Sequence, residues 1–442
     1  LPSGAAGATS SSGLPAPLVT DDPMLEPIDP APHIVPTWQE ALAMLRARST
    51  DLRIALDEIE RSQGQWRQAL AASLPTLTGN ANITGNLLRG QACDPITGLC
   101  GQTYPPDLVT YGAGAILVQP LFAPRAWHAP GTAKLARQAA ELSAEDQKRV
   151  LAFALANAVV TVVTAERLSE INRIGLRAAL ERLTLARRRV ALGAGNALDT
   201  VRADQDVSVT RATVVTGDEQ LRKAREALGL ALGSTEAWGV RPDVDLSNVE
   251  STARATCTVL DKVEDRADIA AARTTTEVAK RNVDDVWLQF SPTVNFVSRF
   301  DSASNLYPNG MNATWTIAGM LSIPFYDGGA RYGALRDTGA QADQSLQRLE
   351  SARRKATIEV IQAKRSVSVA EESRRVAERS RDLARETERL SRVSFQAGTG
   401  TSLDLIESGR RLRESESQLA LQEFTLVQAR ISALLSLSRC QW

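Results

Sequence analysis

The chain says the same thing twice. Gly193-Ala194-Gly195-Asn196-Ala197-Leu198-Asp199 returns as Gly398-Thr399-Gly400-Thr401-Ser402-Leu403-Asp404, displaced by 205 residues. Both copies read G-x-G-x-x-L-D. Gln119-Pro120-Leu121-Phe122 returns as Ile323-Pro324-Phe325-Tyr326, displaced by 204 residues. A repeat this long requires one supersecondary unit built twice, so any fold assigned to one half must suit the other. A finer periodicity keeps the same phase. Ala356, Ala363, Ala370, Ala377 and Ala384 recur every seven residues, and 205 positions earlier stand Leu151, Ala158, Ala165, Asn172 and Ala179. A seven-residue stripe of mostly small side chains marks a seam between closely packed helices.

Within each copy the hydrophobic period changes in the same order. From Trp38 to about Ala72, Leu42, Leu45, Leu52, Leu56 and Ile59 follow helical spacing. Leu74-Pro75-Thr76-Leu77 ends that segment, since proline lacks the N–H a helix needs. Leu77, Gly79, Ala81, Ile83, Gly85 and Leu87 then alternate with Thr78, Asn80, Asn82, Thr84 and Asn86, a period of two that predicts a strand. A second alternating run spans about 108–120. Residues 131–191 hold no proline and predict a helix of roughly 90 Å at 1.5 Å per residue. The first G-x-G-x-x-L-D interrupts it, and a further helix runs to Leu232. The second half gives a helix over 267–288, then Ser291-Pro292-Thr293-Val294. Strands follow at about 292–301 and 313–324, then a proline-free helix over 330–395, the second G-x-G-x-x-L-D, and a last helix to about Leu437.

Composition removes several classes of function. Lysine plus arginine and aspartate plus glutamate both number 51, so the chain lacks the net basic surface of a nucleic-acid binder. Residues 1–36 hold eight of the nineteen prolines and are expected to be extended or disordered, with a tether role open to them. No window approaches 18 consecutive apolar residues, so no transmembrane helix is expected. The start at Leu1, without methionine or a signal sequence, reads as a processed or trimmed form. His33 and His128 have no nucleophile or metal ligand nearby in sequence. The G-x-G motifs lack the lysine of a phosphate-binding loop. No enzyme activity, metal or cofactor is expected. Cys93 and Cys100, separated by six residues with Asp94-Pro95 and Thr97-Gly98 between them, suit a small disulfide loop. Cys257 and Cys440 are a second possible pair.

Four alternating runs of about ten residues have the length of tilted membrane-spanning strands. Four strands cannot close a barrel, and an open edge in lipid leaves backbone groups unpaired. Other subunits must therefore complete them. A soluble coiled-coil scaffold is a remote alternative, which predicts solubility without detergent.

The doubled order of helix, L-P-x-L or its counterpart, strand, loop, strand, Pro-aromatic motif, long helix, G-x-G-x-x-L-D and helix resembles the TolC family of outer-membrane factors over residues 38–438. Ile323-Pro324-Phe325-Tyr326-Asp327-Gly328-Gly329-Ala330-Arg331 is close to the family's usual form, whereas Ala123-Pro124-Arg125 departs from it in the first copy. The resemblance implies an α+β membrane protein and a homotrimer. Its twelve-stranded outer-membrane barrel, four strands per subunit, would be continued by an α-helical coiled-coil tunnel in the periplasm of a Gram-negative cell. The expected organisation is a tail (1–36), a first repeat (37–232, strands about 76–88 and 108–120, tip 192–200), a linker and equatorial region (233–260) and a second repeat (261–442, strands about 292–301 and 313–324, tip 396–405).

The resemblance also implies that Gly193, Gly195, Gly398 and Gly400 form the periplasmic tip turns where an adaptor docks. Asp199, Asp404 and Glu407 then become candidates for a gate. Asp404 and Glu407 lie one helical turn apart, and three copies around an axis would form carboxylate rings that favour cations and raise one another's pKa. Helix capping is the competing role for Asp199 and Asp404. At the position equivalent to Glu407 the first copy has Arg202. Some relatives latch the tip with an arginine where this chain has Gly400, so closure must be held otherwise. The expected function is a passive exit duct for a periplasmic adaptor and an inner-membrane ABC transporter or proton-driven pump. Type I protein secretion is the first expectation, because no cysteine precedes Cys93 to carry a lipid anchor. Drug or small-molecule efflux is the alternative.

Overall fold

The computed structural model describes residues 22–85, 109–193, 195–241, 254–304, 312–440 and 442. Two short helices, α1 (Trp38–Arg48) and α2 (Thr50–Ala71), replace the single helix expected over 38–72. The break falls at Ser49, whose hydroxyl accepts the Leu52 N–H at 3.2 Å and so caps the second helix. Strands β2 (Thr76–Gly85) and β3 (Val109–Phe122) follow, then α3 (Pro124–Ala191) and α4 (Ala197–Ala231). The second copy supplies α5 (Ala267–Trp287), β6 (Thr293–Ala303), β7 (Ala313–Ser322), α6 (Ala330–Gln396) and α7 (Ser402–Ser436). Short strands β1 (His33–Val35), β4 (Trp238–Val240), β5 (Cys257–Val259) and β8 (Ser438–Cys440) pair as β1–β4 and β5–β8.

The compact units do not follow the repeats. One comprises residues 1–52, 146–263 and 356–442; the other comprises 53–145 and 264–355, so each takes residues from both copies. A repeat is a unit of sequence, whereas compactness follows burial, and each copy buries its apolar faces against the other.

The second unit holds an antiparallel sheet ordered β2-β3-β6-β7. Its register sorts side chains by chemistry. Leu77, Ala81 and Ile83 share a face with Tyr111, Ala115, Leu117, Phe296, Phe300, Trp315, Ile317 and Leu321. The opposite face carries Thr76, Thr78, Asn80, Asn82, Thr84, Asn295, Thr314 and Thr316, interspersed with Ile116, Val118, Val297, Ala318 and Met320. Leu77, Ile83, Trp315 and Ile317 are 66–74% exposed, so the apolar face has no cover among the described residues. Pro120, at the end of the strand expected over about 108–120, lies inside β3, which runs on to Phe122. The register shifts between Pro120 and Phe122, and such a bulge tolerates a residue without an N–H.

The two strand-to-helix turns are secured differently. In the second copy Gly328 and Gly329 take φ of 70° and 90°, and Asp327 accepts the Gly329 and Arg331 N–H groups. In the first copy, Ala123-Pro124-Arg125 allows neither device, and α3 starts at Pro124 rather than near 131. Proline suits a first helical position, and Pro130 is accommodated within the helix. His128 Nδ1 lies 2.6 Å from Asp285 of α5, and the Thr132 hydroxyl donates to the same carboxylate at 2.9 Å. His128 therefore has partners that its sequence neighbourhood did not reveal. The hydroxyl goes to the carboxylate rather than to the imidazole, which suits an anchor of α3 on α5.

The first unit packs Leu151, Leu155, Val159 and Val162 of α3 against Leu221 and Leu228 of α4, Ile431 and Leu435 of α7, and Leu42 and Leu45 of α1. This core also bears on the membrane-span expectation. An 18-residue window of α3 is apolar enough to cross a bilayer by length and composition. The cause is this core, which buries 44% of that window. Ala165 and Ala179 of the heptad stripe face inward, as do Ala356, Ala370 and Ala377 in the second copy. Cys257 and Cys440 are bonded at 2.05 Å within the same core. Cys93 and Cys100 lie outside the described residues.

From Asp22 onward the proline-rich segment is an ordered strap. Arg211 pairs with Asp22 at 2.7 Å, and Arg173 and Arg225 donate to the carbonyls of Glu26 and Asp29 at 3.0 and 2.8 Å. After a single 3-10 turn at Pro23–Leu25, this chain is held against the body by arginines of α3 and α4.

Candidate functional site at the hairpin turns

Each helical hairpin of the first unit turns on its G-x-G motif, and the two glycines serve different purposes. Gly193 and Gly398 take φ of 71° and 80°, a region that costs an L-residue roughly 1–2 kcal/mol. Gly195 and Gly400 are required by space. A Cβ on Gly195 would stand 2.9 Å from the Val190 nitrogen, and one on Gly400 3.0 Å from the Phe395 nitrogen. The descending helix thus stops, reverses and restarts within a few residues.

The restarts are capped in two ways. Asn196 accepts the Leu198 N–H at 3.0 Å and starts α4. Thr401 starts α7 through a capping box: its Oγ1 accepts the Asp404 N–H at 3.1 Å, and the Asp404 carboxylate accepts the Thr401 backbone N–H at 3.4 Å as well as the Thr401 hydroxyl at 2.6 Å. Asp404 is therefore engaged as a cap. Asp199, in the matching position, instead accepts the Ser402 hydroxyl at 2.5 Å. That bond joins the turn regions of the two copies.

Glu407, expected to form a carboxylate ring with its copies, has arginine partners within its own chain. Arg410 donates to it at 2.8 and 3.0 Å and Arg411 at 2.9 Å. These hydrogen bonds, Arg410's first and then Arg411's, hold its pKa down to about 2, with their charges adding to the effect. Within one chain the shift is thus opposite in sign to that expected of a ring of like charges. Since all three side chains are 38–67% exposed, solvent screens the pairing.

One buried cluster escaped the sequence reading. Asp206 of α4 receives Arg182 of α3 at 2.7 Å and Arg413 of α7 at 2.8 Å, with only 7% of its side chain exposed. A Cβ at Gly409 would stand 3.0 Å from Arg182 Nη1, and one at Gly175 would stand 2.4 Å from Arg413 Cδ. Burial lowers the pKa of Arg413, opposed by the Asp206 charge. The available signal was the pair of glycines inside helices, where glycine costs about 1 kcal/mol relative to alanine. Arg189 adds a further tie, its guanidinium lying 4.4 Å from the centre of the Phe395 ring.

The repeat extends to ion pairs. Arg225 Nη2 lies 3.1 Å from Glu166 Oε1 between α3 and α4, and Arg430 Nη2 lies 3.1 Å from Glu371 Oε1 between α6 and α7. Both partners are displaced by 205 residues.

Comparison with known proteins places this architecture. Over 320 residues the chain is 24% identical to the fusaric acid resistance protein FusA of Burkholderia cepacia, a match covering 66% of this chain and 55% of that protein. It is 24% identical over 400 residues to nodulation protein T of Rhizobium leguminosarum bv. trifolii, covering 85% of this chain and 79% of the relative. Its fold superposes on the CusC channel with a TM-score of 0.78 at 19% identity, covering 90% of this chain and 91% of that one. The profile of the outer membrane efflux proteins matches residues 41–234 and 261–437, which include both hairpins and both strand pairs. On that match, and with the TolC-type fold it carries, the chain belongs to the outer membrane efflux protein family.

Proposed function

We propose that three copies of this chain form the outer-membrane exit duct of a tripartite efflux machine in a Gram-negative cell. A periplasmic adaptor and an inner-membrane pump would complete it. The observation that carries this reading is the four-stranded sheet with one apolar and one polar face. Among the described residues it leaves the outer edges of β2 and β7 unpaired. Such a sheet is stable in lipid only when closed, and three copies supply twelve strands. A second uncovered surface fits the same assembly: Val369, Val376, Leu383 and Leu390 of α6 recur every seven residues and are 53–69% exposed.

The cargo favoured is a small organic molecule, because the matched family is named for efflux and one relative for resistance to fusaric acid. Type I protein secretion, expected from the sequence, has no such specific support; neither curated relative described above is named for it. Free energy would come from the inner-membrane partner, either ABC-type or proton-driven. The turns at Gly193, Gly195, Gly398 and Gly400 would meet the adaptor. With glycine at 400, the closed tip would be held by the Asp199–Ser402 bond and the Asp206 cluster.

The test is purification in detergent followed by mass determination and planar-bilayer recording. A trimer with discrete conductance steps is expected, and drug resistance should return to a host lacking its own channel. A monomer soluble without detergent would sink this reading and favour the scaffold.

A further inference from the structure

Glycine weakens a strand, because it has the most backbone freedom to lose and no side chain to pack, and it often marks a close approach. Gly112 and Gly114 of β3 both stand at polar-face positions, the first opposite Asn82 and the second between Asn80 and Asp301. Their reasons differ. A Cβ at Gly114 would stand 2.8 Å from Asp301 Oδ1, 3.2 Å from Asn80 Oδ1 and 2.9 Å from the Phe300 carbonyl oxygen. That last atom is backbone of β6, so a side chain at 114 would push the two strands apart. A Cβ at Gly112 would stand 2.5 Å from Asn82 Oδ1, 3.3 Å from its Cγ and 3.4 Å from its Nδ2. Its three nearest neighbours thus belong to a single carboxamide, and none is backbone. That carboxamide lies across Gly112, and its Nδ2 donates to the Thr84 hydroxyl at 3.3 Å. Beside it the polar face keeps a hollow of about 260 Å³, whose lining includes Asn80, Asn82, Thr110, Gly112 and Asp301. On the apolar face, a Cβ at Gly319 would meet nothing within 4 Å.

Resting on the reading that this polar face lines a pore, we propose that Gly112 is a specificity-determining residue of the duct, one that sets how bulky a cargo passes this level of the wall. Without a Cβ, it lets the Asn82 carboxamide lie flat. A side chain at 112 takes that place and turns the carboxamide out towards the lumen. The change is repeated in every subunit, so each copy adds an obstruction facing the same axis. The cargo that depends on this recess is bulky and hydrogen-bonding, since the hollow offers carboxamides, a hydroxyl and a carboxylate.

Purified wild-type protein, Gly112→Ala, Gly112→Leu, the Asn82→Ala/Gly112→Ala double variant and Gly319→Ala, each confirmed as an assembled oligomer in detergent, are compared in planar bilayers. Neutral polyethylene glycols of graded mass are added to one side and then the other. The readout is the largest polymer that enters from the sheet end and lowers conductance. Gly112→Ala should move this limit to a smaller polymer, and Gly112→Leu further still. The double variant, which removes the displaced carboxamide, should return to the wild-type limit or exceed it. Gly319→Ala, on the opposite face, should leave the limit where it is. An unchanged limit in Gly112→Leu overturns the proposal, as does a double variant that stays as restricted as Gly112→Ala, which would mean a distorted strand. Should the Gly112 variants not assemble, Thr110→Trp fills the same hollow with Gly112 intact and must lower the limit; a wild-type limit there overturns the proposal equally. If no protein conducts, wild type included, the pore reading itself fails and takes this inference with it.

Discussion

Glu407 and Asp206 are both carboxylates near the hairpin turns with two arginine partners, and burial separates their consequences. Glu407 is exposed, and its pKa is depressed to about 2. A depressed carboxylate contributes its stabilisation above the unfolded value near 4.5 and loses it only as the pH falls through about 2. Cation block of the pore should therefore not titrate between pH 8 and pH 5. A midpoint near pH 5–6 in bilayer recordings would mean that carboxylates of neighbouring subunits override the arginines. Asp206 is buried, so Asp206→Asn strands two guanidinium groups in a low-dielectric setting. Breaking one side of a buried ion pair costs about 3–5 kcal/mol. Thermal unfolding in detergent should reveal a large loss for Asp206→Asn and a small one for Glu407→Gln.

At the scale of elements, the covalent device is the Cys257–Cys440 bond. It fastens β5, on the chain between the repeats, to β8 at the end of the second repeat, across a separation of 183 residues. Cross-links over long loops act mainly by restricting the unfolded chain, and removal of a native disulfide typically costs about 2–5 kcal/mol. A Cys257→Ser/Cys440→Ser variant should unfold at lower temperature than the oxidised protein, and reductant should lower the wild-type transition but not the variant's. Equal transitions in all three would limit the bond to a local role. The elements themselves were largely legible. Both hairpins, all four long strands and the turn glycines follow from periodicity, proline placement and the repeat. The boundaries that moved did so for tertiary reasons: His128 finds Asp285 on another helix, and Pro120 falls at a bulge opposite β6.

For the whole molecule, the uncovered apolar face of the sheet is the feature with the strongest consequence. Ile317 is 66% exposed on that face. Ile317→Lys should destabilise the membrane-inserted protein by about 2–4 kcal/mol if the position lies near mid-bilayer, and less near an interface. Refolding into lipid vesicles at increasing denaturant measures this. Thr316→Lys, one residue away on the polar face, should cost much less. Equal costs would argue against lipid on one side and water on the other. The asymmetry belongs to the assembly, because within one chain both residues are open to solvent.

The sequence by itself determined what is local or periodic. It set where the period is two and where it is helical, which glycines turn the hairpins, and that the pattern occurs twice at an offset of 205 residues. Those properties come from backbone sterics and from one-sided burial, which act over a few residues at a time. Only the tertiary structure decided which charge meets which. Ser402 reaches Asp199, Arg182 and Arg413 close on Asp206, and Asp301 lies over Gly114, across separations that no periodicity encodes. It also decided that the repeats interleave into compact units, because burial requires the apolar faces of one copy to be covered by the other. The doubled turn motif thus locates the candidate gate, while contacts between its copies determine its chemistry.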